Sequence, residues 1–413
     1  MIGINVKKSL SMEDIIIEMQ QDASFDVADS DIGEEDAPDY FMLKNIKAPK
    51  APPKVPKVFL SNDCLFNCAY CGCRCGNEER GRYCNDPKEM AKIAVEDAVK
   101  NRHGVFITSA IYKNPNYTEE LIISTLKIIR QEIKYPGYIH AKIMPGTDPE
   151  LIRQAGLYAD RLSVNIEVAK SEGYEKIAKQ KNKSNILTPM KQISDMVQSA
   201  KYEGKKFATS QTTQLMAGST NEDDRTIMKL SKELYRRYKL KRVYYTAFSY
   251  QKSAKGYDLP FVKTPHWRMR RLYQADRLML LYNFSPDEIT PEEQPFLESD
   301  IDPKAAWAIR NLCIFPVEVN TADYELLLRV PGIGITYAKR IVEARKYCRL
   351  THDILRKMGV SLKKSKYFIT CSNKYLGGDA LDSPVLRNLI TDTDIEKLKL
   401  PESPNIYLYN MDK

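Results

Sequence analysis

The chain has 413 residues, 43% of them hydrophobic and 28% charged, with a formal net charge of +9. That length exceeds what one core usually organises, so two or three domains are expected, and the hydrophobic share is ordinary for a globular protein. No stretch approaches the roughly eighteen apolar residues of a membrane span, and the opening MIGINVKKSLSMEDIII has neither a continuous hydrophobic core nor a small-residue cleavage site, so the expected setting is cytoplasmic, without a membrane partner.

The charge is unevenly placed. Residues 1–50 carry five Lys against eleven Asp or Glu, a balance of −6, whereas residues 329–366 carry eleven Lys or Arg against Glu343 and Asp353, a balance of +9. Such a concentrated basic excess is the pattern of a phosphate-binding surface.

In chain order, residues 1–50 read as an acidic peripheral segment with one short amphipathic helix around Met12–Met19. The string KAPKAPPKVPK follows, where Pro49, Pro52, Pro53 and Pro56 impose an extended linker. From Val58 onward short apolar runs alternate with helical patterns. The expected strands are Val58–Ser61, Val105–Thr108, Tyr138–Ile143, Arg161–Ile166, Lys206–Thr209 and Arg242–Phe248. Between the first two, Asp86-Pro87 opens a helix with Met90, Ile93, Ala94, Val95, Ala98 and Val99 as its apolar stripe. Strands separated by helices imply a parallel sheet over residues 51–300, open or curled into a barrel, with its working loops at the strands' C-terminal ends.

Residues 301–413 read as helices alone. Asn320–Val330 and Ile335–Lys346 are joined by Pro331-Gly332-Ile333-Gly334, and a second pair covers Thr351–Met358 and Leu362–Phe368.

Six of the nine cysteines fall between Cys64 and Cys84. In a reducing compartment such crowding points to metal rather than disulfides. The string NDCLFNCAYCGCRC sets Cys64, Cys68 and Cys71 at C-x3-C-x2-C spacing just after a strand. Three thiolates can hold a 4Fe-4S cubane while leaving one iron without a protein ligand. That iron can chelate S-adenosylmethionine, whose one-electron cleavage yields a 5'-deoxyadenosyl radical. Tyr70 suits the aromatic position beside the adenine. Structural zinc takes four ligands from two separated pairs, and no second C-x2-C or H-x3-H pair follows. Cys73, Cys75 and Cys84 read as incidental thiols, with a second metal site as the alternative; Cys313, Cys348 and Cys371 read as buried free thiols. The four histidines show no ligand spacing, and Lys181 and Arg242 read as surface charges able to meet a carboxylate or phosphate.

The cysteine string resembles the radical S-adenosylmethionine superfamily, and more closely the family of DNA modification or repair radical S-adenosylmethionine proteins, over roughly residues 55–370. The resemblance implies a partial (β/α)6 barrel followed by an all-α helix-hairpin-helix domain. It implies cofactor contacts from Thr108 and Ser109 in VFITSAI, from Ser163, Asn165 and Glu167 in LSVNIEVA, and from Gln211 in SQTTQLMAG. It also implies an electron donor such as flavodoxin or ferredoxin. The chain departs from the pattern in two places: DASFDVADSDIG lacks an expected cysteine, and CGCRCGN replaces a simpler continuation.

VNTADYELLLRVPGIGITYAKRIV resembles a helix-hairpin-helix unit. Gly332 and Gly334 let backbone N–H groups at the second helix approach a phosphate, over a seam of Leu326, Leu327, Val330, Ile333, Ala338 and Ile341. Lys339 and Arg340 follow as charged contacts, and Lys363 and Lys364 serve the second pair. Such a unit grips phosphates without reading sequence. Three readings stand at this point: radical modification or repair of DNA, radical modification of RNA such as tRNA, and a cluster-bearing nucleic-acid-binding protein without catalysis.

Overall fold

The computed structural model describes residues 57–78, 81–101, 104–249, 254, 257, 264–379, 381 and 385–391. The acidic N-terminal segment, most of the proline linker and His103 lie outside these residues. The described chain forms two compact units: one runs to Glu222 and adds Glu233–Thr264, and the other comprises Asp223–Lys232 and the residues from Pro265 onward.

Strands alternate with helices, two of them between β4 and β5, and α6 begins in the residues grouped with the second unit: β1 (Lys57–Phe59), α1 (Pro87–Asn101), β2 (Val105–Thr108), α2 (Pro115–Lys127), β3 (Ile139–Lys142), α3 (Pro149–Tyr158), β4 (Arg161–Ser163), α4 (Glu172–Ile177), α5 (Lys183–Glu203), β5 (Ser210–Ala217), α6 (Asp224–Tyr238) and β6 (Arg242–Ala247). The strands form one six-stranded sheet in the order β1-β2-β3-β4-β5-β6, every pair parallel. Each connection between neighbouring strands runs through at least one helix. The result is a (β/α)6 arrangement whose sheet stays open between β1 and β6 among the described residues.

Local chemistry accounts for the boundaries. Asp86 accepts from the N–H groups of Lys88 and Glu89 at 2.8 and 3.4 Å and starts α1 ahead of Pro87. Met90, Ala94 and Ala98 of α1 are buried as the stripe predicts, but Val99 is 63% exposed, one residue past the packed face. The fifth strand differs from expectation. Lys206–Thr209 is only its approach, and the polar string SQTTQLMA is the strand itself, buried from Gln211 to Ala217. Polar side chains are tolerated there because their partners are built in: the Thr213 hydroxyl donates to the Val164 carbonyl at 2.7 Å and accepts from the Ile166 N–H at 2.9 Å.

Strand register sorts the side chains by face. Lys142 pairs with Ser163, Ser163 with Thr212 and Thr212 with Arg242, so these four share one face, and Thr108 stands level with Lys142 one step past the Ile107–Ala141 pair. Leu162 and Gln211, the intervening pair, point to the other face.

The second unit holds α7 (His266–Leu281), α8 (Pro286–Ile289), α9 (Pro303–Arg310), β7 (Val317–Glu318), α10 (Tyr324–Arg329), α11 (Ile335–Ala344), α12 (His352–Lys357), α13 (Leu362–Ser365), β8 (Ile369–Cys371), β9 (Lys374–Tyr375) and α14 (Leu386–Ile390). It is not all-α: β7, β8 and β9 form a small three-stranded sheet. These strands are two or three residues long, too short for a periodicity to register in sequence. Edge-on contacts among Phe284, Trp307, Phe315 and Phe368, with centroids 5.0–6.3 Å apart, form its aromatic core.

Candidate functional site

Beyond β1 the chain stays close to β2, with the Leu60 N–H on the Thr108 carbonyl at 2.9 Å, and then opens into the cysteine loop. Neighbouring segments hold the loop by its backbone. The Leu65 N–H bonds the Ile111 carbonyl at 2.9 Å, the Ala69 N–H bonds the Ile177 carbonyl at 2.8 Å, and the Asn67 N–H meets the Gln180 side chain at 3.3 Å. The loop is also tied to itself by one guanidinium. Arg82 donates to the carbonyls of Asn62 and Cys73 (both 2.8 Å), Arg74 (2.6 Å) and Asn77 (2.9 Å). Asn67 adds a second tie, accepting from Arg74 Nε at 2.8 Å and the Gly76 N–H at 3.2 Å. Neither residue carries a motif in the sequence, because loop-clamping side chains have no periodicity.

The three thiols are shifted in different directions. Burial, helped by the charge of Cys71, pushes Cys64 up to about 11. Burial pushes Cys68 up to about 12 against the attraction of Lys181. Cys71 is held below its ordinary value by hydrogen bonds from the side chain and backbone of Cys73, against burial. Three thiolates at these positions therefore need a cationic centre to hold them together. Among the described residues no three His, Cys, Asp or Glu side chains converge as a single metal ion requires.

A polar cluster stands beside the loop. The Lys181 ammonium bonds Glu167 Oε1 at 2.7 Å and the Tyr70 hydroxyl at 2.9 Å. Lys181 is thus no surface charge: its side chain is 10% exposed and that of Glu167 3%. The reason is local, since the chain between α4 and α5 folds back over the cysteine loop and delivers Lys181 to the end of β4. Glu167 adopts a left-handed backbone, φ +63°, which non-glycine residues hold only where surrounding structure enforces it. Its second oxygen, Oε2, and the Ser109 hydroxyl are buried without a hydrogen-bond partner. Buried orphans of this kind are what a bound polar ligand would satisfy.

Of the residues expected at the cofactor, Tyr70 and Glu167 are brought together directly, Thr108 and Ser109 close β2, and Ser163 and Asn165 lie at and just past the end of β4, all buried except half-buried Tyr70. Gln211 is not with them. It sits on the helix-facing side of β5, where its amide donates to the carbonyls of Met190 at 2.9 Å and Tyr238 at 2.7 Å. Strand alternation, one residue out of phase with Ser163 and Thr212, makes it a structural tie rather than a cofactor contact. Arg242 stands in the same row as Lys142 and Ser163, with its guanidinium 5.3 Å from the Tyr244 ring. Cys73 is buried, whereas Cys75 and Cys84 are exposed.

In the second unit α10 and α11 flank the expected turn. Gly332 has φ +86°, and a Cβ there would lie 3.3 Å from the Ser361 carbonyl oxygen, so the position needs glycine. Gly334 caps α11. Leu327, Val330, Ile333, Ala338 and Ile341 are buried as the seam predicts, with Leu328 in place of half-exposed Leu326. Lys339, Arg340 and Lys363 are exposed. Lys364 instead pairs with Asp302 at 2.9 Å, which takes it out of the phosphate-facing set. Cys371 is buried, but Cys313 and Cys348 are exposed, against expectation. His140 and His352 are buried and His266 is exposed. No helix among the described residues is long and apolar enough to cross a membrane.

Comparison with known proteins gives a local and a global likeness. Residues 315–349 match the family model of the helix-hairpin-helix motif. No curated protein matches the chain. Among solved structures, the chain is similar to the FeFe-hydrogenase maturase HydG from Carboxydothermus hydrogenoformans, at 14% identity, 81% coverage of this chain, 79% of that chain and a TM-score of 0.41. A second structure of HydG, a maturase of the [FeFe]-hydrogenase, aligns at 14% identity over 84% of this chain and 83% of that one, with a TM-score of 0.40.

Proposed function

We propose that this chain is a radical S-adenosylmethionine enzyme that modifies or repairs nucleic acid, with DNA the favoured substrate over RNA. The observation that carries the reading is the C-x3-C-x2-C loop beyond β1 with a buried, incompletely satisfied polar cluster beside it. Cys64, Cys68 and Cys71 would hold a 4Fe-4S cluster, and Tyr70, Thr108, Ser109, Ser163, Asn165 and Glu167 would line the adjoining S-adenosylmethionine site. When bound, these cofactors supply reductive cleavage of the sulfonium, with the electron coming from a flavodoxin or ferredoxin.

The chain's own part is to position and to exclude water. Arg82 and Asn67 fix the cysteine loop, while Lys181 fixes Tyr70 and Glu167 relative to it. The helix-hairpin-helix segment, with exposed Lys339, Arg340 and Lys363 and the turn Gly332–Gly334, supports phosphate binding. A nucleotide in a duplex is shielded, so the substrate is either flipped or single-stranded.

The test is isotope transfer. Reconstituted, reduced protein is given S-adenosylmethionine and deuterated DNA or RNA, and deuterium in 5'-deoxyadenosine is measured. Transfer from DNA supports the first reading and transfer from RNA the second. Nucleic-acid binding that persists in the Cys64→Ala, Cys68→Ala and Cys71→Ala variants, with no transfer from either polymer in the unaltered protein, leaves a binding protein without this catalysis.

A further inference from the structure

Lys304, on the first turn of α9, lies outside the segment that matches the helix-hairpin-helix model, yet its ammonium is buried beneath the hairpin. It is 9% exposed and donates to the Ile333 carbonyl at 2.5 Å, with the Tyr282 ring 4.9 Å away. Ile333 lies between Gly332 and Gly334, so this hydrogen bond reaches the centre of the turn. In a trans peptide the C=O and the following N–H point in opposite directions. A carbonyl held inward by Lys304 therefore turns the Gly334 N–H outward, at the start of α11, where N–H groups lack helical partners. The carbonyl and the peptide dipole link the buried charge to that outward face.

Building on the nucleic-acid reading above, we propose that Lys304 is a positioning residue of the phosphate-binding hairpin: its buried ammonium orients the turn and supplies positive charge behind the bound phosphate. The surroundings leave this charge only partly compensated. Asp302, the carboxylate that attracts it, is engaged by Lys364 at 2.9 Å and also feels Arg271. Arg329, at the end of α10, repels it and is itself paired with Glu288 at 2.6 Å. Tyr282 contributes only its ring face. Burial, against the pull of Asp302 and with the repulsion of Arg329, lowers Lys304 to about 7. A phosphate on the hairpin favours the charged form, so binding takes up a proton. Affinity is then greatest below about 7 and falls as pH rises through the value in the complex.

The experiment measures binding of a fluorescein-labelled mixed-sequence DNA duplex to the full chain by anisotropy, from about pH 6 to about pH 9. Unaltered protein is compared with the Lys304→Met, Lys304→Arg and Lys339→Ala variants, each checked by thermal melting. Lys304→Met is expected to bind roughly five- to tenfold more weakly at the acid end, with a flattened pH profile and an unchanged salt slope. Lys304→Arg, which stays charged, should restore acid-side affinity and stay flat. Lys339→Ala should keep the pH profile but lower the salt slope. A Lys304→Met protein with the affinity and pH profile of the unaltered chain overturns the inference. If the unaltered chain binds no duplex at any pH, the nucleic-acid reading itself falls, and this inference with it.

Discussion

Arg82 shows how much one side chain can organise. Four loop carbonyls converge on its guanidinium, and no other group in the loop could replace it without leaving several of them unpaired. The Arg82→Gln variant is expected to fold, by circular dichroism, but to retain less than half the reconstituted iron and lose the rest faster to a chelator. Iron retention equal to the unaltered protein would contradict this role. The Lys181–Glu167 pair makes a different prediction, because both members are buried. Lys181→Met leaves a buried carboxylate unpaired and should cost about 3–5 kcal/mol in denaturant unfolding, while adding Glu167→Gln should recover part of the loss. Glu119 supplies the pH dependence. Burial raises its carboxyl from an ordinary 4.5 to about 8, although the Met144 N–H at 3.0 Å favours the anion. Between those values the folded chain keeps a proton that the unfolded chain has released, so stability falls as pH rises, and the cost is complete above about 8. Glu119→Gln should therefore stabilise the protein at pH 8 and above, on the order of 4 kcal/mol, with little effect below 4.5, as read from melts across pH.

At the scale of elements, the helix-hairpin-helix segment was legible because its signals are local: a Pro-Gly-x-Gly turn and two apolar seams at helical spacing. Its charged residues divide by burial rather than by sequence. Lys339 is exposed and Lys364 is paired with Asp302, a contact 62 positions away in the chain. Lys339→Ala should weaken duplex binding about uniformly across sequences and reduce the slope of log affinity against log salt by about 1, whereas Lys364→Ala should leave that slope unchanged. The fifth strand was misplaced for an equally physical reason. A strand packed between helices and a polar sheet face need not alternate apolar with polar, so Gln-Thr-Thr-Gln looks like a loop until its partners on β4, α5 and β6 are known. Gln211, which the resemblance offered as a cofactor contact, ties β5 to the Met190 and Tyr238 carbonyls instead. The three short strands of the second unit gave no signal at all, since each is shorter than the window a periodicity needs.

For the whole molecule, the α/β class, five of the six parallel strands and the placement of the cysteines beyond a strand's C-terminal end were readable from alternating patterns and one spacing. What was not readable is the set of contacts that join distant residues: Lys181 to Tyr70 and Glu167, Arg82 to the cysteine loop, and Lys304 to the hairpin. Each depends on tertiary folding of a cation whose own neighbourhood in sequence is unremarkable. The account rests most heavily on three cysteines holding four irons, so that one iron remains free for a small-molecule ligand. The most direct measurement is anaerobic reconstitution, counting iron and sulfide per chain and then assaying 5'-deoxyadenosine after reduction with S-adenosylmethionine present. About four irons and four sulfides per chain, with 5'-deoxyadenosine formed by the unaltered chain and absent from Cys64→Ala, Cys68→Ala and Cys71→Ala, is the predicted result. A single tightly held zinc, or a full cluster that never yields 5'-deoxyadenosine, would contradict it.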